Sequence, residues 1–106
     1  MSAQYLHISI DFKGDVNADA LEEKFNLALD WIHYLPNCWI VRTSSSAERW
    51  LSRLAPLLDE KDLLLIIKVD LSEKAARLPD WVLNWIKQYP NSRTRTSGPP
   101  VGSKSV

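Results

Sequence analysis

The chain has 106 residues, 45% of them hydrophobic, with five Trp, one Cys and a formal net charge of zero. That length holds one domain and one core, and the apolar content excludes a disordered chain. A lone cysteine, Cys38, excludes an intrachain disulfide and fits a reducing, cytoplasmic setting.

All 13 acidic residues and 10 of the 13 basic ones precede residue 90, so the body is net negative and the tail basic. A nucleic-acid-binding body normally carries a basic stripe, which weighs against strong non-specific binding. No basic and apolar leader opens the sequence. Its longest aliphatic run, Leu63 to Ile67, falls far short of the ~20 residues that span a bilayer. No membrane contact is expected.

Tyr5 to Asp11 alternates, with Leu6, Ile8 and Ile10 on one face and Tyr5, His7, Ser9 and Asp11 on the other, the pattern of a half-buried strand. Gly14-Asp15 marks a turn. Asn17 then caps a helix with Asp19, Glu22 and Glu23 near its positive end, and Val16 and Leu21 stand as a hydrophobic staple. Helical spacing of Leu21, Phe25, Ala28, Leu29 and Ile32 carries this helix toward residue 32. Within Trp31 to Thr43, aromatic and β-branched runs flank Pro36-Asn37 and predict a β-hairpin. Ser45-Ser46-Ala47-Glu48 reads as a capping box opening a second helix, with Ala47, Trp50, Leu51, Leu54 and Leu58 on one face, cut short by Pro56. Leu63 to Val69 is apolar on both faces except for Lys68, as in a strand covered on both sides. A third helix begins near Pro79, carries Trp81, Val82, Trp85 and Ile86, and ends at Pro90.

This order, strand–helix–strand–strand–helix–strand plus a helix, predicts an α+β fold: a ferredoxin-like βαββαβ sandwich with an extra C-terminal helix. The domain is expected over 1–89, with a disordered tail at 90–106. The first strand and Cys38–Thr43 are expected side by side and parallel at the centre, bringing Asp11, Thr43, Ser44 and Asp62 to one end of the sheet.

Asp11 is the candidate catalytic residue and metal ligand, holding Mg²⁺ or Mn²⁺ with a second carboxylate or a symmetry mate. The plainer role for Asp11 is to cap the Lys13-Gly14 turn, as strand-end Asp residues commonly do. His7, Ser9 and Asp11 contain the residue types of a hydrolase triad. However, positions two apart on a strand are ~6.6 Å apart with parallel side chains, which excludes a relay. His7 and His33 make a weak metal signal, and Cys38 reads as a buried small hydrophobe. Trp81 and Trp85, one helical turn apart, read as packing before base stacking. With three Gly, there is no phosphate-binding loop.

The opening strand Tyr5-Leu-His-Ile-Ser-Ile-Asp11 resembles that of the small CRISPR-associated spacer-acquisition subunit and of virulence-associated protein D. With Trp31-Ile-His-Tyr-Leu, Cys38-Trp-Ile-Val-Arg-Thr43, Ser46-Ala47-Glu48 and Asp62-Leu-Leu-Leu-Ile-Ile, it is more similar still to small bacterial proteins labelled SinR-like. The likeness implies a ferredoxin-like dimer formed through the sheet, with Asp11 holding a metal near the dimer axis. The chain departs from the nuclease relatives in having Phe12-Lys13-Gly14-Asp15 after the first strand and a Trp-rich hairpin. Two functions stay open. One is a nucleic-acid-associated, nuclease-like homodimer in antiviral defence, with Asp11 catalytic and His7, Ser9, Arg42 and Lys68 on the open sheet face. The other is a non-catalytic interaction module or inhibitor from a mobile-element defence or counter-defence locus. In either, Trp39, Trp81 and Trp85 are candidate interface residues.

Overall fold

A computed structural model describes residues 3–72 and 74–88. The expected tail and the Pro90 stop lie outside them. The order is β1 (Gln4–Asp11), α1 (Ala18–Phe25), β2 (Asp30–Leu35), β3 (Cys38–Thr43), α2 (Ala47–Leu54), a 3₁₀ turn (Ala55–Leu57), β4 (Leu63–Val69) and α3 (Asp80–Gln88). One four-stranded sheet runs β2-β3-β1-β4, and every neighbouring pair is antiparallel.

The expectation of a parallel central pair is corrected here. β1 and β3 are neighbours, but they pair antiparallel with Gln4 opposite Thr43 and Ser9 opposite Cys38. The hairpin is the reason. The crossover through α1 returns the chain parallel to β1 two positions away, and the turn at Pro36-Asn37 sends β3 back between them, reversed. Thr43 and Ser44 therefore lie at the end of the sheet opposite Asp11. Asp62 precedes Leu63, which pairs with Asp11, so the two carboxylates do share an edge.

Local sequence explains most boundaries. Asn17 Oδ1 accepts the amide of Ala20 and Ser46 Oγ accepts that of Arg49, so both helices begin where capping chemistry starts them. The cap is Ser46 rather than Ser45, which leaves Glu48 one position short of closing a capping box. Pro56 ends α2 at Leu54, and the chain tightens into the 3₁₀ turn. In the hairpin Pro36 holds a negative φ, and no described non-Gly residue has a positive one. The twist-matched two-residue turns need positive φ, and the ladder instead shifts register between His33 and Leu35.

α1 stops about two turns before its periodicity does. The amides of Leu27 and Ala28 fold back onto Lys24 and Phe25, and the Leu29 amide already bonds to Arg42 of β3. Leu27 and Leu29 are more than half exposed. Trp31, Ile32 and Tyr34, all β formers, are worth more in a ladder than in two further helical turns.

Two clusters divide the core. On one face of the sheet α1 and α2 cover Leu6, Ile8, Ile10, Trp31, Trp39 and Val41, with Phe25, Trp50 and Leu54 inserted from the helices. On the other face α3 brings Val82, Trp85 and Ile86 onto Tyr5, Ile32 and Ile40, with Trp81 and Val69 at the margin. Asp30 fastens this second layer. It is 2% exposed; its Oδ1 accepts the Trp31 amide at 2.8 Å, and its Oδ2 accepts the Trp85 indole N–H at 3.1 Å.

Candidate functional site

At the shared edge, the Asp11 carboxylate lies 2.7 Å from Lys13 Nζ, an ion pair with both side chains about half exposed. Asp11 does not cap the following turn. Asp62 does: its Oδ1 accepts the Lys13 amide at 2.7 Å and its Oδ2 the Asp59 amide at 2.9 Å. Metal binding fits these residues poorly. One carboxylate is held by an ammonium, the other is spent on two backbone donors, and no three His, Cys, Asp or Glu gather as a ligand set among the described residues. Millimolar Mn²⁺ is therefore expected to leave the melting temperature unchanged. Asp11→Ala is expected to cost at most about 1 kcal/mol, as exposed ion pairs do. A rise of several degrees with Mn²⁺ that vanishes in Asp11→Ala would reinstate the metal reading.

The polar residues of β1 belong to a different constellation. His7 Nε2 lies 2.6 Å from Tyr34 Oη on β2, His7 Nδ1 lies 3.5 Å from Ser9 Oγ, and Ser9 Oγ lies 3.8 Å from Cys38 Sγ on β3. The four form a seam across the centre of the α3-side face. Burial holds the His7 imidazole below its usual range, and burial followed by the neighbouring Cys38 thiol holds the Tyr34 phenol above its own. Both groups are thus neutral at neutral pH, and the tautomer of the ring sets which of them donates in the bond between them. At 3.5 Å the contact from Ser9 Oγ to Nδ1 is long for a hydrogen bond, and no activated nucleophile is built on it. The depressed His7 value has a sign. The unfolded chain takes up the proton first, so stability from this group is complete above about pH 6.5 and falls away below it.

The rejected triad stays rejected, because Asp11 turns to Lys13. Sequence reasoning did miss Tyr34, the strongest partner of His7. Its parity with Ile32 along β2 was the available signal.

The other candidates do not assemble. Arg42 shares the seam's face but stands opposite Tyr5 and Asp30, at the end covered by α3. Lys68 pairs with Leu6 and so sits on the α1/α2 face, apart from His7 and Ser9. The four candidate nucleic-acid contacts thus fail to make one surface. Trp39 is corrected as an interface residue: it lies in the core, stacked on Phe25 at 5.1 Å and on His33 at 4.2 Å. Trp85 is buried between α3 and the sheet and Trp81 packs at the margin of the same cluster, so their contact is within the chain.

β4 departs from expectation in a way that matters. It is an edge strand, not one covered on both sides. Leu64 and Ile66 pack toward α1 and α2, while Leu63, Leu65 and Ile67 are exposed at 61%, 55% and 45%. In register these three lie beside Asp11, Ser9 and His7. The half of the sheet that α3 leaves open is therefore a polar seam bordered by an apolar stripe.

No family model, curated protein or solved structure matches this chain.

Proposed function

We propose that the chain is a non-catalytic interaction module that works as a homodimer, with a ferredoxin-like sandwich as its frame. The βαββαβ order, the antiparallel arrangement β2-β3-β1-β4 and the two helices on one face support that frame. The carrying observation is the exposed stripe Leu63, Leu65 and Ile67 beside a sheet face only half covered by α3. Natural edge strands are usually blunted by charge, proline or a bulge, and an exposed row of large aliphatics marks a contact surface. Among residues 63–69 the single charge, Lys68, is on the other face, and the strand has neither proline nor bulge.

A second copy is the occupant we favour. A chain of zero net charge raises no long-range barrier to meeting itself, and a stripe on an outermost strand can meet its own symmetry mate across a two-fold axis. The seam of neutral Tyr34, His7 and Ser9 then lies at the margin of the contact, where it is buried without an unpaired charge. The endonuclease-like alternative, with its CRISPR-associated likeness, draws no support from Asp11, Arg42 and Lys68 as placed.

Light scattering at tens of micromolar is expected to give twice the 12.1 kDa chain mass. Leu65→Lys with Ile67→Lys should give the single mass with an unchanged far-ultraviolet spectrum. A wild-type protein of monomer mass would overturn the proposal.

A further inference from the structure

On the opposite face of the sheet, between the first turns of α1 and the hairpin, lies a half-open cavity of about 350 Å³. That is within the size range of small-molecule sites, and its walls are mainly apolar: Phe12, Val16, Leu21, Phe25, Trp31 and Trp39. The aromatic walls have a definite polarity. Trp39 is stacked on Phe25 with 14° between the planes, and on His33 with 7°. Phe25 is stacked in turn on Trp50, at 22°. Both rings therefore have their faces occupied by protein, and the little of them that meets the cavity, 1% of Phe25 and 4% of Trp39, is edge. Ring edges carry the positive end of the quadrupole and prefer the face of another ring, so the walls suit an aromatic guest in edge-to-face contact.

The polar groups at the mouth add a second requirement. Glu22 lines the cavity, and its carboxylate has no hydrogen-bond or ion-pair partner among the described residues. His33 Nε2 lies 3.0 Å from the Pro36 carbonyl. A carbonyl only accepts, so the ring donates there. Around α1, Asp15, Asp19, Glu22 and Glu23 outnumber Lys24, which makes the approach negative. A guest that brings donors and positive charge satisfies these groups; a carboxylate does not.

We infer that this cavity binds an arylalkylammonium ligand, its ring against the edges of Phe25 and Trp39 and its ammonium at Glu22. The site is on the face away from the proposed dimer contact and stands independently of it.

The probe is 2-phenylethylamine, compared at pH 7 with the neutral 2-phenylethanol and the anionic 3-phenylpropanoate. It is read through the five Trp indole N–H signals of the ¹⁵N-labelled full chain. The amine is expected to bind saturably, with a dissociation constant on the order of 0.1 mM for so small a ligand. The indole signals of Trp31 and Trp39 should shift while that of Trp81 stays. Glu22→Gln, at a half-exposed helix position, should weaken the amine about tenfold and leave the alcohol unaffected. Ala18→Trp, at the exposed mouth, should abolish binding while preserving the melting temperature. Equal binding of all three compounds, no saturable shift at millimolar amine, or shifts confined to the other indoles would each overturn the inference.

Discussion

Phe25→Ala should lower the unfolding free energy by about 3 to 5 kcal/mol, the range for a fully buried aromatic cut back to its Cβ. Phe25 is 1% exposed and stands at the centre of an aromatic group, with ring centroids 5.1 Å from Trp39, 5.6 Å from Trp31 and 6.0 Å from Trp50. Those partners come from β3, β2 and α2, so one α1 side chain binds three other elements together. Each aromatic pair contributes about 0.5 to 1.5 kcal/mol beyond its area, and truncation removes all three at once. One circumstance works the other way. Phe25 also lines the open cavity, so water can enter the space left behind and part of the void term is relieved. The loss is therefore expected nearer 3 than 5 kcal/mol. Against a total stability of about 5 to 15 kcal/mol that is still a large fraction. Urea unfolding followed by Trp fluorescence checks it: the midpoint should fall with the slope unchanged. Phe25→Leu, which keeps most of the apolar volume but not the stacking, should recover more than half of the loss. A cost below about 1 kcal/mol for Phe25→Ala would mean that the cluster repacks freely and that α1 is only loosely seated.

Where the sequence was legible, a short-range physical rule was sufficient. β1, the hairpin at Pro36-Asn37, the end of α2 at Pro56 and the span of β4 follow from alternation, turn chemistry and the geometry of proline. Two errors came from questions that local rules cannot answer. Helical spacing through Ile32 is genuine, yet strand pairing of Trp31 and Ile32 with β3 overrides it, because a ladder and a two-sided core outweigh two turns of isolated helix. The direction of β3 depends on counting reversals along the whole chain, and an error there moves Thr43 from one end of the sheet to the other.

The candidate site was legible residue by residue but not as an arrangement. His7 and Ser9 do lie together on an open face. Their partners Tyr34 and Cys38 come from two other strands, and the register that unites them includes an irregularity between His33 and Leu35 that no propensity announces. The apolar run of β4 misled in the same way. Five consecutive aliphatics look the same whether the second face meets a helix or a partner chain. Only the position of β4 at the edge, set by the topology of the other three strands, distinguishes the two.

Asp30→Ala is the second large effect expected, at about 2 to 4 kcal/mol, and its mechanism is distinct. Nothing apolar is lost. The carboxylate is buried, and among its contacts Oδ1 accepts the Trp31 amide and Oδ2 the Trp85 indole N–H. Removing it leaves both donors inside the protein, each at the cost of an unsatisfied buried group, about 1 to 3 kcal/mol. Asn in its place should rescue little. An amide has one acceptor oxygen, so its NH₂ must face one of the two donors. The damage should also be localised, because the bond to Trp85 joins residues 55 apart in sequence and holds α3 to β2. Amides of α3 should exchange with solvent faster in Asp30→Ala, while those of β1 and β3 change only as global stability falls. Trp85→Phe provides the control. It retains most of the buried ring, removes only the N–H, and alone should cost about 1 to 2 kcal/mol. In the double variant the two losses should fall short of additive by about 1 kcal/mol, since the bond can be broken only once. Full additivity would show that Asp30 does not act through Trp85, and that α3 is held by its apolar contacts with Tyr5, Ile32 and Ile40.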